Sequence, residues 1–545
     1  MYALSLVQLY VVYALIQIQG LDGEVDVWPH PQSATSSANY LQIDSTKFVF
    51  TEKTVEKCDL LTHAINRTKQ LAFIENCAKA GVRGYKPFHN YVRNLKLDHN
   101  FKGVLSGIEV EVKTCEQIPH LEMNENYTLV IDSKTGTAHI KSDAIWGAIR
   151  GLETFSQLIS NVGHHQFVVN ETNIIDFPRF GYRGMLVDTS RHYLPLHVLY
   201  ENLDAMAYNK LNVFHWHIVD EQSFPYVSKK FPDLSLKGAY NPETHVYTPE
   251  DVKNVIEYAR QRGIRVLVEF DTPGHTLSWG KGQKDILTEC YTNGTKNGKY
   301  GPLDPSKDNV YTFLEQLFAE VSTTFPDQYF HLGGDEVDFS CWESNPNIKK
   351  FMNEKGIKTY SKLEDYYMQK VLDIVKKLDK SYIIWEEVFN NGVALKPDTV
   401  VHVWIGSWGT DKEKYWRPEL HNVTVKGYRA ILSSCWYLDL ISYGSDWKGY
   451  YTCEPHSFNG TEEQNKLVIG GEAALWSEYI NAANLISRTW PRASATAERL
   501  WSPKSFNSTE KAAKRFHRQN CLMIERGLRV QPNEGPGYCQ CDYAL

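Results

Sequence analysis

Two adjacent acidic residues follow a glycine pair in the segment His331-Leu-Gly-Gly-Asp-Glu-Val-Asp338. The glycines allow the backbone to approach a ligand closely. Neighbouring side chains point in different directions, so Asp335 and Glu336 can address two different atoms of one substrate. Burial and a nearby negative charge raise the pKa of one carboxyl group of such a pair, as a general acid requires. The motif indicates acid–base chemistry, with a solvated helix start as the alternative for the two acids alone.

Other polar and aromatic residues stand where short apolar segments end. These ends carry Asp188 and Arg191, Asp220, Asp271, Asp335 and Glu336, Glu386 and Glu387, Trp404, Tyr437, and Trp476 with Glu478. Any single one of these acids fits a helix cap equally well. All eight ends together are hard to explain as caps, so we expect the side chains to gather in one site.

The segments that position these residues predict a (β/α)₈ barrel. Eight strands are predicted at 185–188, 212–220, 265–271, 329–333, 382–386, 400–405, 429–433 and 467–476. A helix is predicted between the second and third strands, capped by Thr248 and Asp251 and ended by Gly263. In a barrel the carboxyl ends of the strands share one face, which carries the active site. A doubly wound sheet is the main alternative, but the chain lacks the glycine-rich phosphate turn that usually follows its first strand.

A smaller α/β domain is predicted ahead of the barrel. It contains a strand-like run at 127–131 and a helix-like run at 142–155. Pro178 breaks regular structure shortly after residue 175. We therefore predict a signal peptide over residues 1–22, a non-catalytic domain over 23–175 and the catalytic barrel over 176–545.

Composition and charge exclude several classes of protein. The 545 residues include 23 Phe, 14 Trp and 32 Tyr, ample material for a folded core. With 58 basic and 65 acidic residues, a net charge of −7 and no basic run, nucleic acid is not the expected partner. The apolar, uncharged residues 2–20 are typical of a secretory signal, with an anchoring helix as the alternative.

Export is also indicated by the cysteines and glycosylation sequons. The ten cysteines fit no zinc-finger spacing and are expected to form disulfides. The seven Asn-x-Ser/Thr sequons are at Asn66, Asn126, Asn170, Asn293, Asn422, Asn459 and Asn507. A glycosylated protein of the secretory pathway is the resulting prediction.

The chain resembles the lysosomal β-N-acetylhexosaminidases, family 20 glycoside hydrolases, over nearly its whole length. The resemblance is carried by Asp188-Thr-Ser-Arg-His-Tyr-Leu194, Asn209-Lys-Leu-Asn-Val-Phe-His-Trp-His-Ile-Val-Asp220, Glu269-Phe-Asp-Thr-Pro-Gly-His-Thr276, His331–Asp338 and Gly470-Gly-Glu-Ala473. It implies removal of terminal GlcNAc and GalNAc with retention of configuration. It also implies that the substrate's own 2-acetamido oxygen is the nucleophile, an exception to the two-carboxylate scheme. Neither a cofactor nor a metal is expected.

The resemblance also implies roles for individual residues. Glu336 would be the general acid and base, Asp335 would orient the acetamido N–H, Tyr437 would donate to the acetamido oxygen, and His275 would tune Glu336. Ring hydroxyls would be bound by Arg191, Asp220 and Glu478. The pocket would be walled by Trp385, Trp404 and Trp476.

One position bears on substrate charge. Some subunits of the family carry an Asn-Arg pair after the Trp-Tyr-Leu motif, and the arginine helps to bind anionic sugars. Here Trp436-Tyr-Leu is followed by Asp439 and Leu440, as in the neutral-substrate (β-type) subunit. The resemblance therefore implies a preference for uncharged sugars, with Asp439 at the substrate. It also implies a homodimer in which Tyr443 reaches the neighbouring site.

Disulfides Cys58–Cys115, Cys290–Cys341 and Cys521–Cys539 are implied by the family pattern. Cys435 and Cys453 lie outside that pattern but flank the loop of Tyr437 and Asp439, so a fourth bridge between them is predicted. The pairing of Cys77 and Cys541 stays open.

Three alternatives concern function. A metal-dependent hydrolase is suggested by His215 and His217, whose alternate spacing places both imidazoles on one strand face. A non-catalytic glycan-binding protein and an enzyme that degrades chitooligosaccharides are the others. The lysosomal lumen is the expected location, with the extracellular fluid as the alternative.

Overall fold

A computed structural model describes residues 25–75, 77, 98–163, 166–406, 413–440 and 442–542. The predicted signal peptide, residues 1–22, lies outside these ranges. Two domains are present: a sheet covered by helices, and a closed barrel of eight parallel strands. The predicted fold class is therefore confirmed.

Among its described residues, the first domain is an eight-stranded sheet with two helices. Its strands are β1 (Ser33–Asp44), β2 (Val49–Thr54), β3 (Phe101–Val104), β4 (Gly107–Thr114), β5 (Tyr127–Ile131), β6 (Thr137–Ala144), β7 (Ser160–Gly163) and β8 (Gln166–Asp176). They lie in the order β2-β4-β6-β5-β8-β1-β3, with β7 added to β8. Helices α1 (Asp59–Ala72) and α2 (Ile145–Leu158) bury their apolar residues in the core shared with this sheet.

The helix predicted over 142–155 begins only at Ile145. Residues 142–144 instead extend β6, because Ser142 and Ala144 stay in register with β4 and the Ser142 hydroxyl donates to backbone carbonyls. Helical periodicity is already present in these residues, but strand pairing determines where the helix begins. The strand predicted at 127–131 is correct.

Eight parallel strands close the barrel. They are β9 (Tyr182–Asp188), β10 (Val213–Val219), β11 (Arg265–Phe270), β14 (Tyr329–His331), β15 (Ser381–Trp385), β16 (Val400–Val403), β17 (Arg429–Leu432) and β18 (Val468–Leu475). Each pairs with the next, and β18 returns to β9. A hairpin of β12 (Leu287–Thr292) and β13 (Thr295–Leu303) lies outside the barrel. Every predicted barrel strand is present: β9 begins three residues earlier than predicted, β15 is shifted by one residue, and the other six are shorter by one or two residues.

Helices surround the barrel and fill its loops. They are α3 (Leu196–Tyr208), α4 (Asp233–Gly238), α5 (Pro249–Arg260), α6 (Leu277–Gly282), α7 (Asp308–Thr324), α8 (Ser340–Ser344), α9 (Pro346–Lys355), α10 (Tyr360–Lys377), α11 (Glu386–Asn390), α12 (Glu413–Val425), α13 (Trp447–Thr452), α14 (Glu462–Leu467), α15 (Leu485–Thr489), α16 (Arg492–Trp501) and α17 (Thr509–Glu525). The predicted capping box is present at the start of α5, where Thr248 and Asp251 bond reciprocally. In the described residues no helix has the length and apolarity to cross a bilayer.

The two domains share buried contacts. Glu125 of the first domain accepts hydrogen bonds from Arg150 and from Arg183 on β9, at 2.7–2.8 Å. Residues 25–30, which the sequence assigns to the first domain, pack against the end of the chain. Trp28, for example, donates to the Ser494 carbonyl on α16 and stacks edge-on against Phe516 of α17. The start of the chain therefore joins the barrel as much as the sheet.

The ten cysteines form five disulfides. The pairs are Cys58–Cys115, Cys290–Cys341, Cys435–Cys453, Cys521–Cys539 and Cys77–Cys541. The first four are those expected from the sequence. The fifth joins residues 464 positions apart, a separation that no local pattern in the sequence reveals.

The sequon asparagines lie mostly at the surface. Exposed side chains are found at Asn66, Asn126, Asn293, Asn422, Asn459 and Asn507. Asn170 is half-buried, and its side-chain amide donates to the Ser37 carbonyl at 2.8 Å. Glycosylation stays a prediction at all seven, and Asn170 is the least accessible.

Candidate active site

The glycine pair of the acidic motif is required by close packing. A Cβ at Gly333 would lie 1.8 Å from the Oδ1 of Asp271, and Gly333 has φ of +66°. The Gly334 amide donates to that same oxygen at 2.7 Å, and a Cβ at Gly334 would strike Val388 at 2.3 Å. Only glycine fits this turn, which brings the end of β14 against the end of β11 and directs the next two residues into the barrel mouth.

Asp335 and Glu336 have different environments. Asp335 is buried, and its Oδ1 has no hydrogen-bond partner among the described residues. Burial raises its pKa above the usual range, aided by the negative charge of Glu269. The Glu336 side chain is 62% exposed and its backbone is left-handed, with φ of +50°. The acid whose pKa burial raises is therefore Asp335, whereas the raised pKa was expected for the proton donor, Glu336, which lies at the open mouth.

His275 lies between the acids. Its Nδ1 is 3.3 Å from Asp220 Oδ1, and its Nε2 is 3.8 Å from Asp335 Oδ2 and 4.0 Å from Glu336 Oε2. Burial disfavours the imidazolium, but the bond to Asp220 and the charges of Asp271 and Asp335 outweigh it and raise the pKa well above 6.5. A cation therefore sits beside the acid pair, within reach of Glu336 as expected.

Arg191 is held at the mouth by acids from three strand ends. Its guanidinium lies 3.2 Å from Asp188, 3.0 Å from Asp220 and 4.0 Å from Glu478. It also stacks over the ring of Trp476, 5.0 Å from the centroid. The Nε atom has no hydrogen-bond partner in the described part of the chain, so a donor remains for a ligand hydroxyl.

Four aromatic rings lie together at the carboxyl ends of the strands. Trp385 is 6.5 Å from Trp404 and 6.2 Å from Trp476 between ring centroids, and Trp404 stacks on Tyr437 at 6.0 Å. Tyr437 is held there by a bridge to β18, where it pairs with Ala474. Tilted and perpendicular faces of this kind can enclose one sugar ring and an apolar substituent.

Asp439 and Glu478 lie in the segments that follow β17 and β18. Asp439 is partly buried, and burial raises its pKa to about 7, with the negative charge of Glu478 adding to the effect. The Oδ1 of Asp439 has no hydrogen-bond partner among the described residues, and Glu478 is half-exposed. This part of the rim therefore carries acceptors for hydroxyl groups.

Sequence reasoning missed the residues that hold Trp404. The Trp404 indole donates to Glu387 Oε2 at 2.9 Å, and the amides of Trp404 and Ile405 donate to Glu386. Burial raises the pKa of Glu386 to about 8 and that of Glu387 to about 9. The sequence places both acids at a strand end, but nothing in it indicates which ring they support.

The interior beneath the site contains buried histidines paired with glutamates. Both ring nitrogens of His217 lie 2.7 Å from carboxylates, Glu269 on one side and Asp220 on the other. His215 lies 2.7 Å from Glu472 and 3.0 Å from Glu269. The pair that suggested a metal-dependent hydrolase is thus part of a charged hydrogen-bond network, and His217 has no free nitrogen for a metal.

The mouth of the barrel thus combines two adjacent acids, a neighbouring cation and an aromatic pocket. This combination is typical of a glycoside hydrolase. Known proteins agree. The family "Glycosyl hydrolase family 20, catalytic domain" matches residues 180–504, and "beta-acetyl hexosaminidase like" matches residues 27–158. The chain belongs to glycosyl hydrolase family 20. It is a β-N-acetylhexosaminidase, with the substrate-assisted mechanism characteristic of that family.

Relatives cover nearly the whole chain. The human β-hexosaminidase subunit beta is 48% identical over 518 residues, covering 94% of this chain and 89% of the relative. The mouse subunit alpha is 46% identical over 521 residues, covering 95% of both. Among solved structures, the chitobiase of Flavobacterium johnsoniae has a TM-score of 0.78 and 29% identity, covering 92% of this chain and 73% of its own.

Proposed function

We propose that Glu336 transfers the protons in both steps of the reaction and that Asp335 holds the acetamido group. Glu336 protonates the glycosidic oxygen while the acetamido oxygen attacks C1, so the C1–O bond to the leaving group breaks and an oxazolinium ion forms. Water then adds to C1 and gives up a proton to Glu336. The bond between the acetamido oxygen and C1 breaks, which restores the acetamido group of the sugar. The observation that carries this assignment is the placement of one buried and one exposed acid on consecutive residues.

Asp335 and Tyr437 act on the acetamido group. Asp335 accepts from the acetamido N–H and faces the positive charge that develops there, while Tyr437 donates to the oxygen. Burial raises the pKa of Asp335 and so disfavours its charged form. The carboxylate is therefore stabilised most when positive charge develops on the acetamido group, which makes its interaction with the transition state stronger than its interaction with the bound sugar. His275 keeps the surroundings of Glu336 positive.

The sugar ring is held by Arg191, Asp220, Asp439 and Glu478 within the three tryptophans. With acceptors and donors both available at the rim, the 4-hydroxyl is accepted in either configuration, which permits GlcNAc and GalNAc. The test is hydrolysis of the two aryl β-N-acetylhexosaminides with a thiazoline inhibitor present or absent. Cleavage of both, with competitive inhibition, supports the proposal; binding without cleavage supports a glycan-binding protein.

Sulfated substrates should be poor ones. We expect kcat/KM for a 6-sulfated aryl-GlcNAc to be at least about tenfold below that of the neutral parent at pH 8, since like charges at close range cost a kcal/mol or more. Because the pKa of Asp439 is raised to about 7, its charge and therefore the discrimination should weaken towards pH 5. Asp439→Asn should reduce this pH dependence. Equal turnover of both substrates at pH 8 would contradict the assignment.

A homodimer is proposed, with Tyr443 reaching the partner's site. The Tyr443 side chain is fully exposed. Sedimentation should give twice the mass of the glycosylated chain, and Tyr443→Ala should lower kcat/KM without changing Tm. Tyr538, which is 79% exposed, is the control: Tyr538→Ala should change neither kcat/KM nor Tm. A monomeric, fully active enzyme would refute the proposal.

We propose the lysosomal lumen as the location, and the buried acids support an acidic compartment. Burial raises the pKa of Glu364 and Glu386 to about 8 and that of Glu387 to about 9. Between pH 4.5 and these values the folded chain holds protons that the unfolded chain has released, so the free energy of unfolding falls as pH rises. His217, with its pKa raised to about 10, acts in the same direction above pH 6.5.

Thermal unfolding should therefore occur several degrees lower at pH 8 than at pH 5. Glu364→Gln, far from the reacting groups, should flatten the dependence by removing one of these carboxyl groups. A Tm that is equal or higher at pH 8 would contradict the argument, and an activity optimum near neutral pH would favour the extracellular fluid.

A further inference from the structure

Glu269, fully buried on β11, is hydrogen-bonded to two separate parts of the site at once. Its Oε1 accepts from the Trp385 indole N–H at 2.8 Å, and its Oε2 lies 2.7 Å from His217 Nδ1. On its other side, His217 Nε2 lies 2.7 Å from Asp220 Oδ2. The same carboxylate of Asp220 lies 3.0 Å from Arg191. One chain of hydrogen bonds thus runs from a pocket wall, through Glu269, to the hydroxyl-binding side.

Trp385 depends on this contact for its orientation. One face of its ring stacks on His402, with centroids 4.3 Å apart and planes inclined by 28°. The ring of His331 is tilted against it by 57°, with centroids 4.6 Å apart. Stacking fixes the plane of a ring but allows the ring to slide within that plane. The hydrogen bond from the single indole N–H fixes the position of Trp385 within the plane. Glu269 is the acceptor for that N–H, and it is immobilised by the imidazoles around it.

A carboxylate is required in this place. It accepts on both oxygens, so Trp385 and His217 are satisfied together, and His215 Nε2 lies 3.0 Å from the second oxygen. His217, whose pKa is raised to about 10, donates from both ring nitrogens. A glutamine of the same shape carries one acceptor and one NH₂ group, so either Trp385 or the His217 imidazolium would face a donor. An unsatisfied buried donor is destabilising and is relieved by movement of one of the two groups.

We infer that Glu269 is a positioning residue that holds Trp385 against the acetamido methyl group and, through His217, holds Asp220 for the ring hydroxyls. The inference rests on the proposed roles of Trp385 and Asp220. Glu269 touches no substrate atom. Its effect is on how well the acetamido oxygen is aligned with C1, a step in which a displacement of about 1 Å can cost about 100-fold.

Glu472 provides a matched control in the same interior. It is equally buried, on β18, and accepts from Tyr182 at 2.5 Å and pairs with His215 at 2.7 Å. Its hydrogen-bond partners in the described chain do not include a pocket residue. Glu472→Gln should therefore lower Tm much as Glu269→Gln does, while leaving the alignment of the sugar unchanged.

The test compares Glu269→Gln, Glu472→Gln and Trp385→Phe on an aryl β-N-acetylglucosaminide and on a thiazoline inhibitor. Glu269→Gln should lower kcat by about 10- to 100-fold and weaken thiazoline binding similarly. Glu472→Gln should stay within about threefold of wild type in both. Since phenylalanine lacks the N–H, Glu269→Gln combined with Trp385→Phe should be much less damaging than the product of the two single effects. If Glu269→Gln does not fold, Glu269→Asp, which keeps the charge but withdraws from Trp385, should show the same kinetic loss.

The outcomes distinguish a failure of the proposed role of Trp385 from a failure of the positioning role of Glu269. If Trp385→Phe leaves kcat and thiazoline binding unchanged, the proposed role of Trp385 is wrong and the inference falls with it. If Trp385→Phe is impaired but Glu269→Gln, or its Asp substitute, behaves like Glu472→Gln, the pocket stands and the positioning role of Glu269 is overturned.

Discussion

Glu336→Gln lowers kcat for an unactivated N-acetylglucosaminide by about 10²–10⁴-fold, because general acid–base catalysis supplies a factor of this size. Both steps should suffer, since the proposed role of Glu336 is to give a proton to the leaving group and later to take one from water. The fold is expected to be unaffected: the side chain is 62% exposed and its Oε2 is 4.0 Å from His275. The measurement is steady-state hydrolysis together with Tm.

The exposed Asp338 of the same motif provides the control. It accepts from the amide and hydroxyl of Ser340 at 2.8–2.9 Å, outside the pocket. Asp338→Asn should keep kcat within a fewfold of wild type. Substantial activity in Glu336→Gln on a poor leaving group would assign the proton donor to another residue.

Asp335→Asn lowers kcat by about 10²–10³-fold, the loss typical when one preorganised electrostatic contact to a transition state is removed. The neutral amide cannot stabilise positive charge on the acetamido group, and it presents a donor in place of an acceptor. The two variants differ in one respect. Asp335→Asn should also weaken a cationic or thiazoline mimic of the intermediate, whereas Glu336→Gln should still bind it.

Stability provides the check on Asp335→Asn. Burial raises the pKa of the Asp335 carboxyl group, so removing its charge should leave Tm unchanged or raise it slightly. A large loss of Tm would make the activity loss structural. Normal activity and normal thiazoline binding would place the acetamido contact elsewhere.

Barrel strands were predictable because each is a short apolar run that ends in a polar or aromatic residue. That pattern follows from the fold, in which strand interiors are buried and carboxyl ends share one face. Asp335 and Glu336 stood out for the same reason, and the glycines before them are explained by the contact of Gly333 with Asp271. Family resemblance then supplied roles that spacing alone could not.

Other features depend on tertiary contacts that leave no local pattern. The bond from Trp385 to Glu269 joins residues 116 positions apart, and Cys77 finds Cys541 across 464. His215 and His217 suggested a metal from their spacing, yet their partners are glutamates on other strands. An acid inside a predicted apolar strand, such as Glu269 in the strand predicted at 265–271, was the available signal, because buried charges in a barrel need partners.

In the proposed mechanism the substrate's acetamido oxygen attacks C1, while Glu336 transfers protons and Asp335 holds the acetamido group. The most direct test measures kcat/KM for aryl glucosaminides whose N-acyl group carries zero, one, two or three fluorines. Each fluorine withdraws electrons from that oxygen and makes it a weaker nucleophile. We therefore expect kcat/KM of the wild-type enzyme to fall steeply as fluorines are added. A rate that does not depend on fluorination would mean that an enzyme group is the nucleophile and would contradict the account.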